Sequence, residues 1–511
     1  MSNYQSFETV IIGAGMSGIS AAVNFLKNGY ENFLLFEASD RIGGRIHTID
    51  YEDGILEYGA QFIHGQVDNP IYKIAIENEL IDEYYKEILY ESDEDLSKHN
   101  GLKINLEEKE RLNLFLNENG NKIDNNLIEI AFDCLNRSIR LAEKYSITNP
   151  LDQDLKLGFF IYENFLNLAK KFLNIKDSEV KNNLDCLFLW RCKIENVENS
   201  CNSVNDLSLK NFSNYIELKG SQIIEPKRGY KSILQQIIQN YEQKFEQKLK
   251  FKHELNKILL CENSSDCKHS KFTKDPKKIV LLFNNENVVL CEKIILTVSL
   301  GFLKENIKTL IDPISYVPLE KLEVIERQGY GTVNKIILEY ETPFWDDNLE
   351  TINLIWSDMD RENLFDRLDH VNFDVKKRWF EDVCSFEPSI NYDNVLIGWI
   401  CGNSYHESLS DEEIINECTL NLGKFFNKEI PKAKNVFRSK WNSNPLFNGS
   451  YSFYSYGSQP DDIDILARPL ITENGAVIYF AGEATHPEFY STVHGAYLSG
   501  IRESNRILEN S

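Results

Sequence analysis

Apolar residues along the chain fall into two patterns. Apolar-rich, strand-like runs at Val10–Ile12, Phe33–Phe36, 279–283, 288–298, 335–340 and Val477–Phe480 predict strands. Helical spacing instead governs 125–145 ("NNLIEIAFDCLNRSIRLAEKY") and 158–174. Between the first two strands, Ala21, Ala22, Phe25 and Leu26 mark a helix that Gly29 ends. "STVHGAYLSGIRESNRIL" starts a last helix, with Ser491 or Thr492 as its cap. The polar stretch 261–278 reads as a surface hairpin loop, and no internal repeat is visible. A charged residue heads one of these runs: Lys335 opens 335–340. A lysine there is either the solvated end of a strand or an amine kept beside a reaction centre.

The turn after the first strand carries the clearest chemistry. Gly13, Gly15 and Gly18 satisfy G-x-G-x-x-G between strand and helix. Such glycines let the backbone approach a pyrophosphate, whose charge the helix N-terminus favours. Glu37 ends the second strand nineteen residues past Gly18, where a carboxylate accepts from both ribose hydroxyls. "RIGGRIHT" follows, with Arg45 able to fork onto a phosphate oxygen; this second loop favours FAD over NAD. In "YGAQFIHG", Gly59 and Ala60, followed by Gln61 and Phe62, let backbone approach a flat ring closely, and His64 comes just after.

Length and charge narrow the partners. The 511 residues suggest roughly three domain-sized units. A net charge of −24 argues against nucleic acid and is compatible with a cationic small molecule, or with solubility alone. Ten cysteines include no Cys-x-x-Cys pair and no Cys/His cluster of zinc spacing, so no metal is expected. No apolar run is long enough to cross a membrane, no leader pattern precedes the first strand, and "ILENS" is not a peroxisomal address. A cytoplasmic protein that binds no membrane is the expectation.

Taken together, these motifs resemble the flavin-dependent amine oxidases, specifically the polyamine and spermine oxidase branch. The resemblance also runs through "ILTVSLGFLK", "GYGTVNKIILEYETPFW", "WNSNPLFNGSYSFYSYGS" and "FAGEATHPEFYSTVHGAYLSGIRESNRIL". It is loose from about 85 to 220. It implies an α/β protein of the amine oxidase fold. A Rossmann-like FAD-binding domain would be formed by 1–85, 222–310 and 456–511. An α+β substrate-binding domain would be formed by 86–221 and 311–455.

What the family does with the matching residues is expected here. Ser17, Leu255, Gln61 and Phe62 would join the glycines, Glu37 and Arg45 around FAD. Glu483 would lie near the ribityl chain or pyrophosphate, and the amides of Thr492 and Val493 near the flavin's pyrimidine edge. The family's lysine at the place of Lys335 holds a water against flavin N5, where hydride leaves the amine carbon; burial would favour its neutral form. Tyr451 would face the flavin. Thr492 stands where monoamine oxidases have a second aromatic, which opens the site to a chain-like polyamine. Ser450 stands where those enzymes carry the cysteine that anchors flavin, so FAD would be noncovalent.

"ENSCNSVNDLSL" resembles the spermine oxidase segment whose Glu-x-Ser pair grips the far amino group, which would make Glu198 and Ser200 that pair. His64 would contact an internal substrate nitrogen, with Ser491 and Thr492 adding hydroxyls. The implied reaction is oxidation of spermine to spermidine, 3-aminopropanal and hydrogen peroxide, with Lys335 and His64 catalytic, dioxygen as acceptor, and a monomer or weak homo-oligomer. Alternatives are an N1-acetylpolyamine oxidase, a histone lysine demethylase and a non-catalytic dinucleotide-fold binding protein.

Overall fold

The computed structural model describes residues 4–83, 85, 112–149, 153–261, 268–357, 364, 368–369 and 374–510. The expectations for 86–111, at the start of the second unit, and for 262–267, in the loop 261–278, lie outside the described residues.

A six-stranded sheet organises the end that carries the glycine turn. Its order is Leu470–Ile471, Val477–Phe480, Lys293–Leu296, Thr9–Ile12, Phe33–Phe36 and Leu249–Lys250. All neighbours are parallel except the edge strand Leu470–Ile471. A parallel sheet is covered on both faces, which is why its strands read as continuous apolar runs. The two faces have separate cores. Ile11, Leu35, Ile295 and Tyr479 face the helices Met16–Lys27, Gly229–Gln239 and Val493–Glu509. Val10, Leu34, Ile294 and Ile478 face Ile258, Leu281 and Val289 of a five-stranded sheet. Phe25, wholly buried under its helix, contributes about 1.5–3 kcal/mol by leaving water.

The run 288–298, expected as one strand, is two. Val288–Cys291 pairs with Ile279–Phe283 in the five-stranded sheet, and Lys293–Leu296 joins the six-stranded one. The chain changes sheets at Glu292. The N-terminal chain does the same beside it, from Gln5–Ser6 to Thr9–Ile12, and the Glu8 carbonyl accepts from both Glu292 N and Lys293 N.

A second six-stranded sheet runs Asn435–Arg438, Val333–Glu339, Val395–Cys401, Val383–Pro388, Leu349–Ile355 and Leu112–Asn117. Its strand Val333–Glu339 is buried along its whole length, Lys335 included. Helices Asn125–Thr148, Leu157–Ala169 and Ser178–Asn199 share one further core. The first two match the helical spacing in the sequence; the third, whose last turn carries Glu198, was not foreseen. No helix among the described residues is long and apolar enough to cross a membrane.

Candidate active site

A cavity of about 1820 Å³ runs from the glycine turn to the helix Ser178–Asn199. At its inner end Gly15, Met16 and Ser17 form the first turn of a helix that no side chain caps. Gly18 lies so close to the turn that a Cβ there would sit 1.9 Å from the Gly13 carbonyl oxygen, so any other residue would force strand and helix apart. Glu37 is fixed on the same loop. Its Oε2 accepts from Ala14 N at 2.7 Å, and its Oε1 from Ser39 N at 2.9 Å and Ser39 Oγ at 2.7 Å. Leu255 lines this end, and the Ser17 hydroxyl meets Ser499 Oγ at 3.2 Å.

The last helix points its N-terminus into the same cavity. Thr492 is its cap: Oγ1 accepts from Gly495 N at 3.0 Å and donates to the Phe489 carbonyl at 2.7 Å, and Val493 opens the first turn. Ser491 likewise donates its hydroxyl to the Ser452 carbonyl. Both hydroxyls thus spend their only hydrogens on main-chain carbonyls, and toward a substrate ammonium they can act only as acceptors. Two helix N-termini around one space favour an anion, and with the glycine turn and Glu37 they fit a dinucleotide's pyrophosphate and ribose. Arg45 lines the cavity beside the glycine turn; its Nη1 donates to Glu483 Oε1 at 2.8 Å and to the Ser450 carbonyl at 2.6 Å, two bonds that engage one nitrogen of the guanidinium only. Glu483 also accepts from Ser452 Oγ and Ser491 N.

Lys335 lines the middle of the cavity and is 2% exposed. Its Nζ donates to the Glu57 carbonyl at 3.0 Å, the Gly59 carbonyl at 2.9 Å and Gln61 Oε1 at 2.6 Å. Three acceptors match the three hydrogens of an ammonium; a neutral amine would turn its lone pair on one of them. Burial lowers its pKa to about 8, while Glu57, Glu225 and Glu387 oppose the fall. The expected neutral form is thus favoured relative to a free lysine and prevails only above about pH 8. Nor does this geometry leave an N–H for a water: one of the three bonds must first be released. Gly59 touches the neighbouring loop so closely that a Cβ would lie 1.9 Å from the Arg45 carbonyl oxygen. Ala60 N donates to that same carbonyl.

Around the lysine stands an aromatic and acidic shell. Trp399 pairs opposite Lys335 across the sheet, with Nζ 4.6 Å from its ring centre, and Phe62 stacks on the same indole at 6.0 Å. The Trp399 indole N–H donates to Glu387 Oε1 at 2.8 Å, and Gln61 Nε2 donates to Glu225 Oε1 at 2.7 Å. Burial raises Glu57 and Glu387 to about 7. Tyr451 lines the cavity and donates to the Val197 carbonyl.

His64, Glu198 and Ser200 separate at the outer end. His64 Nδ1 lies 2.7 Å from the Gln222 carbonyl oxygen, so it carries the hydrogen and leaves Nε2 as an acceptor. Burial lowers its pKa, against that bond and Glu198. Glu198 lines the cavity and pairs with Arg191. Ser200 does not line it: it is wholly buried as the left-handed cap of its helix, φ +53°, its hydroxyl without a partner. The expected Glu198–Ser200 grip is not assembled, because the helix ends between them and turns Ser200 inward.

The sequence reading missed Trp399, Glu57, Glu225, Glu387, Arg191 and Glu195. The first four converge only through strand register and the fold. Arg191, Glu195 and Glu198 left a signal in their spacing, which puts them on one helical face.

Comparisons with known proteins agree with this arrangement. The sequence model of the family described as "Flavin containing amine oxidoreductase" matches residues 16–508. The peroxisomal N(1)-acetyl-spermine/spermidine oxidase of Bos taurus is 27% identical over 98% of this chain and 94% of its own. Probable polyamine oxidase 5 of Arabidopsis thaliana is 28% identical over 98% of each chain. A structure of putrescine oxidase bound to putrescine superimposes with a TM-score of 0.65 at 16% identity, covering 99% of this chain and all of that one, which shows the shared fold. The chain belongs to the flavin containing amine oxidoreductase family, on the polyamine oxidase branch, and is a flavin-dependent amine oxidase.

Proposed function

We propose that the protein is a polyamine oxidase with noncovalent FAD and dioxygen as acceptor, and that it prefers a free polyamine such as spermine. One observation carries this reading. Around Lys335 the cavity carries the aromatic rings of Phe62 and Trp399 and the carboxyls of Glu57, Glu225 and Glu387, which burial pushes toward their neutral form, and its outer wall holds the carboxylates Glu143, Glu195, Glu198 and Glu217. An amine loses electrons only where its nitrogen is neutral, which suits the aromatic end; the remaining charged nitrogens suit the acidic wall. FAD, when bound, supplies the two-electron acceptor.

The protein's own groups divide the remaining work. The glycine turn, Glu37 and the cap at Thr492 would hold the cofactor. His64 Nε2 accepts from an internal substrate nitrogen. Tyr451, Phe62 and Trp399 exclude water from the reacting carbon. Lys335 holds a proton at Nζ that it can surrender near pH 8. The retained dinucleotide cradle and buried lysine together speak against a non-catalytic binding protein.

A second reading, an N1-acetylpolyamine oxidase, is favoured by Ser200 standing off the wall and by the Arg191–Glu198 pair. Kinetics on spermine, spermidine, N1-acetylspermine and a monoamine separate the two readings. Glu198→Gln that keeps the full specificity constant for spermine removes the free-polyamine preference; a monoamine as best substrate removes the polyamine assignment.

A further inference from the structure

We propose that Arg191 sets the charge preference of the cavity's outer end: it is an internal counter-cation that a substrate's terminal ammonium must displace from Glu198. The inference rests on the polyamine reading above. Arg191, Glu195 and Glu198 follow one another at intervals of four and three residues on the helix Ser178–Asn199, and all three line the cavity.

The two contacts of the guanidinium differ in kind. Nη2 lies 2.6 Å from Glu195 Oε1. Glu195 is 5% exposed and also accepts from Asn199 Nδ2, so this contact is fixed. Nη1 lies 3.5 Å from Glu198 Oε2, and that side chain is 54% exposed. So long and wet a pair is weakly held. Burial works against the charge on Arg191, yet Glu195 and Glu198 outweigh it, so the guanidinium stays protonated at every working pH.

An ammonium has three hydrogens to offer a carboxylate and can take the place of Nη1 at Glu198 while Arg191 keeps Glu195. A neutral acetamide end brings no charge and gains nothing from the exchange. Arg191 therefore penalises charged ends and is indifferent to neutral ones. It acts through Glu198, as a positioning residue.

The test compares FAD-loaded full-length protein with its Arg191→Gln, Arg191→Lys and Arg191→Ala variants, measuring kcat and KM for spermine and N1-acetylspermine. Arg191→Gln should lower the KM for spermine relative to that for N1-acetylspermine by about three- to fivefold, the scale of an exposed ion pair, with the change in KM rather than kcat. Lysine keeps the charge but cannot fork onto both carboxylates, so Arg191→Lys should fall between. In Arg191→Ala, guanidinium chloride should return the ratio toward the parent value where equal sodium chloride does not. KM ratios within about twofold of the parent in the soluble variants, with guanidinium no better than sodium, overturn the proposal. Should one variant fail to fold, the others decide by the same criteria. A parent enzyme that oxidises neither amine overturns the polyamine reading itself, whereas one that oxidises both without a change at Arg191 overturns this inference alone.

Discussion

Nζ of Lys335 donates to Oε1 of Gln61 at 2.6 Å, and the amide nitrogen of the same glutamine donates to Glu225 Oε1 at 2.7 Å. Because Glu225 fixes which end of the amide faces the lysine, a carboxylate that does not touch Nζ governs it. An acceptor at Nζ favours the charged form. Gln61→Leu should therefore move the lysine's midpoint further down from about 8, by roughly half to one pH unit, the worth of one hydrogen bond. The pH profile of kcat for variant and parent on the same amine reads this, since the substrate's own ionisation is common to both. A profile unmoved, or moved upward, contradicts it.

Removing the lysine tests its chemical role. Lys335→Met keeps the length and apolar stem but leaves the Glu57 and Gly59 carbonyls without their donor. If Nζ handles a proton during the reaction, the rate of anaerobic flavin bleaching by spermine should fall by about 10²-fold. The yellow colour of the purified protein should persist, because the dinucleotide cradle lies on other residues. Bleaching at the parent rate would make Lys335 a purely structural cation.

Glu37 predicts cofactor retention. Its two oxygens already hold Ala14 N and Ser39, which aims the carboxylate along the rim of the cavity. Glu37→Ala removes a charged acceptor for the ribose and loosens the glycine turn at once. The expected loss is about 1.5–3 kcal/mol, or roughly ten- to hundredfold in FAD dissociation. Titration of stripped protein with FAD, followed by flavin fluorescence, measures it. Glu37→Gln keeps the shape and should fall between.

Local signals in the sequence were enough for the strand, glycine turn, helix and strand that lead to Glu37, because they lie within one short stretch where spacing alone implies proximity. They were not enough where the site depends on register. Trp399 lies opposite Lys335 only because Val333–Glu339 pairs antiparallel with Val395–Cys401, and no local pattern encodes that partner. Ser200 failed for the converse reason. A motif three residues long looks contiguous in sequence, yet a helix C-terminus falls between its outer members and turns them to different sides. The run 288–298 failed at Glu292, the first of two adjacent charged residues inside an otherwise mostly apolar stretch, where the chain leaves one sheet for another.

Lys321 makes a prediction about stability away from the site. It is 2% exposed, with Nζ donating to the carbonyls of Ile465 and Leu466 and resting 4.1 Å from the Phe480 ring centre. Burial lowers its pKa to about 7; Arg468 adds to the fall, while Glu503 and Glu320 oppose it. An unfolded lysine titrates at about 10.4. Below about pH 7 both states hold the proton and the burial cost is complete. Between that point and about 10.4 only the unfolded chain holds it, so stability rises with pH. From about pH 7 to about pH 9, the parent should gain about 2 kcal/mol relative to Lys321→Met. Urea unfolding at the two pH values measures the difference, and a constant gap would refute the buried charge.

Ser450 bears on how the flavin is held. Its hydroxyl donates to the Val333 carbonyl at 2.8 Å and accepts from Val333 N at 2.9 Å, so it pins the start of the strand that carries Lys335. An alcohol bound in both directions and 6% exposed is no nucleophile, and it cannot form the thioether that a cysteine could. All flavin should therefore appear in the supernatant after acid precipitation, and the denatured protein should be colourless. Ser450→Ala should retain the cofactor's noncovalent character but lose the tie to Val333, leaving Val333 N buried without a partner. The cost is about 1–3 kcal/mol. A fall in unfolding temperature with flavin still fully released by acid is the expected pair of results; flavin left attached to the parent's precipitate would show that another side chain forms the bond.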